Sequence, residues 1–241
     1  MILNINKYVS YNLKELFKNG FLIVGLLAAF GPAVIMAYFI FEGHTPFQIK
    51  HISNFYCMLG MLAAVLHPLY LVNRDYSSKT ISLINNSKQN RKNYVTANVV
   101  IALLVSLLYA AMGIALLLVT KELGVPGELK VSFLLGFFSN VFLLVLTYFL
   151  FGYLLLLSGM RSGAVYVILT ALLLFVPNIF ANILPNIHNE LFSGLIESFP
   201  LYFYPIMVGS NPLSPVQYIV GGITLLVLLI MVLKKSEKIE I

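Results

Sequence analysis

The stretch VTANVVIALLVSLLYAAMGIALLLV, residues 95–119, decides the fold class of this chain. It contains no Asp, Glu, Lys or Arg, and it exceeds the roughly 20 helical residues that cross the hydrocarbon core of a bilayer. Further uncharged, apolar stretches cover residues 21–41, 55–72, 131–157, 164–184 and 216–233. We therefore predict an all-α membrane protein with six transmembrane helices.

The composition of the whole chain agrees with this prediction. Hydrophobic residues make up 60% of the sequence, charged residues only 10%, and the mean hydropathy is +0.92. Soluble domains contain about 25% charged residues, so this chain has too little charge to cover a soluble surface. The single cysteine, Cys57, excludes an internal disulfide and gives no cluster of metal-ligating thiols.

The positive charges are sorted along the chain. Twelve of the 15 Lys and Arg residues lie in four segments between or beyond the uncharged stretches, residues 1–20, 73–94, 158–163 and 234–241. The alternating segments, residues 42–54, 120–130 and 185–215, contain the other three. Short loops rich in Lys and Arg remain in the cytoplasm, so we predict a multi-pass cell-membrane protein with both termini cytoplasmic. The net charge of +6 is then an orientation signal, and we expect no nucleic-acid partner.

This sorting divides the chain into three parts. Residues 1–20 are predicted to form a cytoplasmic amphipathic helix, because Val9, Leu13, Leu16 and Phe17 recur at helical spacing. Residues 21–233 form the transmembrane domain, and residues 234–241 a cytoplasmic tail. The first helix has two compatible interpretations, an interfacial anchor or a connecting helix that transmits motion from a cytoplasmic partner.

The segment of residues 185–215 is predicted to form a re-entrant or interfacial hairpin on the external side, before the last span. It contains five prolines and no Lys or Arg, and it includes the run FPLYFY at residues 199–204. Such a segment is too apolar for a solvated loop and too interrupted for a span. The alternative is an aromatic belt at headgroup depth without a role in gating.

The sequence offers little for catalysis. It has no G-x-x-x-x-G-K-[ST] phosphate-binding loop and no metal or nucleophile motif, so we expect neither an enzyme nor a cofactor in this chain. The titratable residue within the apolar stretches is His67, beside Pro68. A proton relay is one interpretation of His67, and a neutral histidine bonded to a neighbouring helix is the one we favour.

The loop of residues 73–94 is longer than a connection between spans requires. It has room for a short helix with Ile81, Leu83 and Ile84, whose apolar side chains suit a groove on a soluble partner. The alternative is a solvated basic loop that maintains the topology.

The same loop resembles one in the permease subunits of ABC-2-type ATP-binding-cassette exporters. In that family the second span ends in an acidic and a bulky residue, followed by Gly-Thr or Lys-Thr, then hydrophobic residues, then Ser and Arg before the third span. The matching residues here are Asp75-Tyr76, Lys79-Thr80, Leu83-Ile84, Ser87 and Arg91. Asp75 replaces the commoner Glu, Lys79 the commoner Gly, and Ser87-Lys88 a frequent Pro.

The resemblance implies a loop that couples this chain to a separate cytoplasmic ATPase subunit, which would hold ATP and Mg²⁺. The implied coupling residues are Asp75, Lys79, Thr80, Ile81, Leu83, Ile84 and Arg91. The implied contacts of the connecting helix are Leu13, Leu16 and Phe17. A second permease, identical or different, would complete the transporter.

The uncharged spans suit an amphipathic or lipid-like cargo better than a small ion. Aromatic residues on them form a candidate cargo path, Tyr148, Tyr153, Tyr166 and Phe175. The loop also looks similar to those of permeases for toxic or antimicrobial peptides, including exporters of phenol-soluble modulins and bacteriocin-immunity transporters. The alternative function, from a different class, is a membrane sensor or assembly protein without transport activity.

Overall fold

A computed structural model of the protein describes residues 2–84, 86–186, 189–210 and 212–238. Most of these residues are helical, and none of them lies in a strand. The α-helices, in chain order, are α1 (Ile5–Lys18), α2 (Phe21–Phe41), α3 (Ile49–Ser77), α4 (Thr80–Ile84), α5 (Lys88–Glu122), α6 (Val131–Leu157), α7 (Ser162–Thr170), α8 (Val176–Ile183), α9 (Glu190–Glu197), α10 (Pro200–Met207) and α11 (Pro215–Lys238).

Among the described residues, six helical segments are long and apolar enough to cross a membrane, which confirms the predicted all-α, six-helix architecture. They are α2, α3, α5, α6, the segment Ser162–Asn186 and α11. The segment Ser162–Asn186 contains α7, a π-helical turn at Ala171–Phe175, α8 and a 3₁₀ turn at Leu184–Asn186. Together these spans indicate a multi-pass membrane protein.

Four spans are longer than the uncharged stretches that predicted them, and α3 and α5 extend the furthest. α3 begins at Ile49 and continues past Arg74 and Asp75 to Ser77, and α5 already begins at Lys88. The uncharged stretches end at the first charge, whereas backbone hydrogen bonding continues beyond it. The Ser87 Oγ caps α5 by accepting a hydrogen bond from the Asn90 N–H at 3.2 Å.

The π-helical turn in the fifth span precedes Pro177, which has no N–H to donate to the preceding turn. A π-helical turn inserts an extra residue into the hydrogen-bonding ladder, and such turns occur where a helix is interrupted or bent. Leu173 and Leu174, within this turn, line a cleft that is described below.

The centre of the bundle consists of α3, α5 and α6, and α2 packs along α3. Gly60 of α3 allows this close approach, because a Cβ atom at Gly60 would lie 2.8 Å from the Ala29 Cβ of α2. α11 and the segment Ser162–Asn186 lie at the periphery and expose large apolar side chains. In a membrane protein such faces are expected to contact lipid.

The four basic segments meet at one end of the bundle, which we call the basic end. The Leu3 N–H donates to Asn90 Oδ1 at 2.8 Å, Arg91 Nη1 donates to the Glu237 carbonyl at 2.7 Å, and Lys235 Nζ donates to Ser158 Oγ at 2.8 Å. The other three segments meet at the opposite end. There the Ile49 N–H donates to the Pro126 carbonyl at 2.9 Å, and Ser53 Oγ donates to the Gly209 carbonyl at 2.5 Å.

The proline-rich segment before the last span forms α9 and α10. Three aromatic side chains of α10, Tyr202, Phe203 and Tyr204, are buried against the bundle, and Phe199 before it is exposed. Three rings of this aromatic run therefore pack inside the protein, and the predicted headgroup depth of the run stays a prediction. The predicted re-entrant path of this segment stays a prediction.

Candidate functional site

The basic end contains a group of polar side chains that connects three helices, which we call the Asp75 cluster. Its members are Tyr8, Asn12 and Glu15 of α1, Arg74 and Asp75 of α3, and Tyr94 of α5. On α1 the three polar residues are spaced by four and then three positions, which places them on one helix face.

Asp75 is the centre of this cluster and is only 3% exposed. Its Oδ1 accepts hydrogen bonds from Arg74, from Nε at 3.0 Å and from Nη2 at 2.7 Å. Its Oδ2 accepts one from the Tyr94 hydroxyl at 3.1 Å and another from the Tyr8 hydroxyl. A buried carboxylate is stable only when it is paired and hydrogen-bonded, and Asp75 meets both conditions.

Arg74 extends the cluster to α1. Its Nη1 forms an ion pair with Glu15, and its Nη2 donates to Asn12 Oδ1 at 2.8 Å. One guanidinium group therefore lies between two carboxyl groups. Burial and the charge of Asp75 raise the pKa of the Tyr8 hydroxyl well above its ordinary value, so it stays protonated and remains a donor to Asp75.

The Asp75 cluster links the position of α1 to the position of the end of α3. Because Tyr8, Asn12 and Glu15 all belong to α1, any movement of α1 relative to the bundle must break these contacts or move the end of α3 with it. Asn93 of α5 adds a further contact, since its Nδ2 donates to the Leu3 carbonyl at 3.0 Å. The cluster thus couples α1 to the ends of two central spans.

The short helix predicted in the loop of residues 73–94 is present as α4, Thr80–Ile84. It follows Lys79, whose φ of +57° lies in the left-handed region. Lys79, Thr80 and Ser82 are exposed, whereas Ile81 is 4% exposed and packs inside this chain. Ile84 is half-buried against the same core, and the side chain of Leu83 lies outside the described part of the structure.

The predicted coupling residues therefore do not share one surface. Asp75 and Ile81 point into the protein, while Lys79 and Thr80 face outward. Arg91 lies on α5 and bonds the Glu237 carbonyl of α11 at 2.7 Å. Asp75 was expected to contact a partner directly, but its partners are residues of this chain.

The connecting-helix residues are also divided. Leu16 is buried and Leu13 packs partly against the core, but Phe17 is 56% exposed. The buried face of α1 consists instead of Val9, Asn12 and Leu16. Phe17 remains available to lipid or to a partner, and the interfacial position of α1 stays a prediction.

The candidate path residues do not line a common cavity. Tyr148 and Tyr153 are fully buried, and the Tyr148 hydroxyl donates to the Leu201 carbonyl at 2.6 Å. Tyr153 lies close enough to Asp75 and Tyr8 to interact with them electrostatically. Tyr166 borders a groove between α2 and α3, and Phe175 is 61% exposed on the outside of the bundle.

A cleft of 460 Å³ lies nearer the end opposite the basic end, between α3, α6, the fifth span and α10. Its walls are largely apolar, with two amide side chains, Asn54 and Asn178. None of the four path residues lines it. The residues that do so are Asn54, Phe55, Cys57, Met58, Met61, Leu144, Leu173, Leu174, Pro177, Asn178, Ala181, Pro205, Ile206, Val208 and Gly209.

His67 is bonded within the bundle. Its Nδ1 contacts the Ala63 carbonyl one turn earlier, and its Nε2 lies 2.8 Å from the Phe21 carbonyl at the start of α2. The side chain is 5% exposed. The contact with the Phe21 carbonyl agrees with the predicted bond to a neighbouring helix, and the neutral state of His67 stays a prediction.

Sequence reasoning missed most of the Asp75 cluster. The sequence pattern singled out Asp75, but for α1 it considered only the apolar residues and not the polar ones. The spacing of Tyr8, Asn12 and Glu15 beside those apolar residues was visible in the sequence, whereas their pairing with Arg74 and Tyr94 requires the fold. In the described residues no group of three or more His, Cys, Asp and Glu side chains is arranged to hold a metal ion.

Comparison with known proteins assigns no family. No protein-family model matches the chain, and no curated protein matches it.

Proposed function

We propose that this chain is the membrane permease subunit of an ATP-driven exporter of the ABC-2 type. It would pair with a second permease, identical or different, and with separate cytoplasmic ATPase subunits that bind ATP and Mg²⁺. Its cargo would be amphipathic, with toxic or antimicrobial peptides as the expected class.

The observation that carries this proposal is the helix–turn–helix connection between α3 and α5. In the family that the loop resembles, Gly is the commoner residue at the position of Lys79. Lys79 has a left-handed backbone conformation, with φ +57°. Only Gly adopts that conformation without a steric penalty. The backbone shape of this turn therefore agrees with the resembled pattern even where the side chain departs from it.

The Asp75 cluster gives this connection a mechanical role. α4 presents Thr80 and Ser82 at the basic end, and α3 reaches the cluster one turn before α4 begins. Movement of an ATPase docked on α4 would thus act on α3 and, through Arg74 and Asp75, on α1. The cleft between α3, α6 and α10 offers an apolar surface for cargo, with amide groups that suit peptide or headgroup contacts.

The proposal is tested by site-specific cross-linking in the native cell. A photoreactive residue at Ser82, exposed on α4, should cross-link to a protein with nucleotide-hydrolysing activity, identified by mass spectrometry. The same probe at His44, exposed at the opposite end, is the matched control and should give no such product. The purified complex should hydrolyse ATP in nanodiscs, and vesicles containing it should accumulate amphipathic peptide when ATP is supplied.

The absence of any ATPase from the Ser82 product and from the purified complex would contradict the proposal. The sensor or assembly interpretation would then replace it. ATP hydrolysis without peptide movement would retain the permease assignment and contradict the cargo class.

A further inference from the structure

A second cavity, of 540 Å³, opens at the basic end between the last turns of α6 and α11. It lies at the surface of the bundle. It is distinct from the Asp75 cluster and shares no residue with it. Its lining consists of Leu154, Ser158, Met231, Lys234, Lys235 and Lys238.

The three lysines converge because of helix periodicity. Positions 231, 234, 235 and 238 lie three, four and seven residues apart, so they share one face of α11. Lys235 Nζ donates to Ser158 Oγ at 2.8 Å, while Lys234 and Lys238 are exposed.

Among the described residues no acidic side chain lines this cavity. Glu237, which lies within the same turn, instead forms an ion pair with Lys92 of α5 at 3.2 Å. Within the described part of the chain, the lysine charges are therefore concentrated in one concave site without a counter-charge, which favours an anionic ligand.

The same face of α11 continues toward the membrane interior as an exposed apolar surface. Ile223, Val227 and Ile230 are each about half exposed, and Met231 connects them to the lysines. An occupant that matches both parts needs a negatively charged phosphate at one end and hydrocarbon at the other.

We propose that this site binds an anionic phospholipid, with its phosphate between the three lysines and an acyl chain along α11. Basic cavities between transmembrane helices bind anionic lipid headgroups by this combination of charge and apolar contact. The shared chemistry is that of a phosphate, and the apolar face of α11 favours a lipid over a free phosphate ion. This inference does not depend on the proposed transporter function.

Native mass spectrometry of the full chain, released from nanodiscs of phosphatidylcholine and phosphatidylglycerol in equal amounts, tests the proposal. The parent protein should retain phosphatidylglycerol in preference to phosphatidylcholine. In the triple variant Lys234→Gln, Lys235→Gln, Lys238→Gln this preference should fall by on the order of fivefold for each lysine lost.

The matched control removes three other lysines at the basic end, Lys7→Gln, Lys14→Gln and Lys18→Gln on α1, which are also exposed. This variant has the same net charge as the first one and should keep the parent's preference. If the triple variant in α11 does not fold, the single changes Lys234→Gln and Lys238→Gln carry the test, because both side chains are exposed.

Equal loss of preference in the two triple variants would overturn the proposal, since the lysines would then act only through net charge. Displacement of phosphatidylglycerol by soluble glycerol phosphate would also overturn it, because the site would then take a free phosphate. Retention of the lipid in the presence of glycerol phosphate, together with loss in the α11 variant alone, supports the lipid site.

Discussion

Arg74 is the residue on which the Asp75 cluster depends, because it is the cation between Glu15 and Asp75. Replacing Arg74 with Gln leaves the buried Asp75 carboxylate without its charged partner. We expect Arg74→Gln to lower the free energy of unfolding by about 1–3 kcal/mol, the cost of leaving a buried polar group without a partner. Thermal unfolding in bicelles, with chemical denaturation where it is reversible, measures this change.

The control for Arg74 is Lys92→Gln. Lys92 forms an ion pair with Glu237, but both side chains are substantially exposed. Exposed pairs contribute about 0–1 kcal/mol, so this variant should unfold close to the parent. An Arg74→Gln protein as stable as Lys92→Gln would show that the cluster does not hold α1 in place.

Lys79 provides a test of the backbone at the start of α4. A β-branched residue at its left-handed φ of +57° is strained, and glycine is not. We expect Lys79→Val to destabilise the protein by about 1–2 kcal/mol relative to Lys79→Gly, which is the steric cost of the left-handed conformation. The measurement is the difference in the free energy of unfolding between these two variants, since both remove the same charge.

Equal unfolding temperatures for Lys79→Val and Lys79→Gly would contradict a left-handed turn at this position. If the turn also positions α4 on an ATPase, Lys79→Gly should keep ATPase stimulation at the parent level. Lys79→Val should then reduce it in proportion to the loss of local structure.

At the scale of helices, the α2–α3 contact depends on small residues. A Cβ atom at Gly60 would lie 2.8 Å from the Ala29 Cβ, and real Cβ atoms essentially never approach so closely. Gly60→Ala must therefore separate the two helices, and we expect a cost of about 1–3 kcal/mol, as for overpacked cores. Gly222→Ala on α11 is the control, because nothing beyond its chain neighbours and the backbone of its own helix lies within 4 Å of the added methyl group.

Gly222→Ala should be neutral or stabilising by up to about 1 kcal/mol, because alanine has the higher helix propensity. If Gly60→Ala is equally neutral, the helices do not pack at this distance. Disulfide trapping between cysteines placed on α2 and α3 would then locate the actual contact.

The helices were predictable from the sequence to the extent that hydrophobicity defines them. The uncharged stretches located all six spans, since a bilayer requires about 20 apolar residues for each. They did not predict that α3 would carry Asp75 on its last turns, because a buried charge is tolerated only with partners distant in sequence. The buried position of Ile81 was missed for the same reason, since apolar side chains on a short helix suit a partner or this chain equally well.

The candidate site was less predictable than the fold. Tyr8 and Asp75 are 67 residues apart, and their contact follows from the way α1 packs on α5 and α2. The aromatic path residues failed to meet because composition does not state which face of a helix a tyrosine occupies. Tyr148 and Tyr153 lie inside the bundle, and Phe175 lies outside.

At the scale of the whole molecule, charge is segregated between the two ends of the bundle. Contacts such as Leu3–Asn90, Arg91–Glu237 and Ser158–Lys235 bring together the four segments that contain 12 of the 15 Lys and Arg residues. The positive-inside rule assigns this end to the cytoplasm, which would place α4 and the lysine cavity there.

We therefore expect cysteines at the two ends to label from opposite sides of the membrane. Cys57 is buried and is first replaced by alanine to remove the native thiol. A single cysteine at Lys88, exposed at the basic end, should react with a membrane-impermeant maleimide only after the cells are permeabilised. A single cysteine at His44, exposed at the opposite end, should react in intact cells.

Because six spans place both termini on one side, a reporter fused at either terminus must report the same side of the membrane as the cysteine at Lys88. Labelling of the Lys88 cysteine in intact cells would reverse the orientation, and α4 would then be unable to meet a cytoplasmic ATPase.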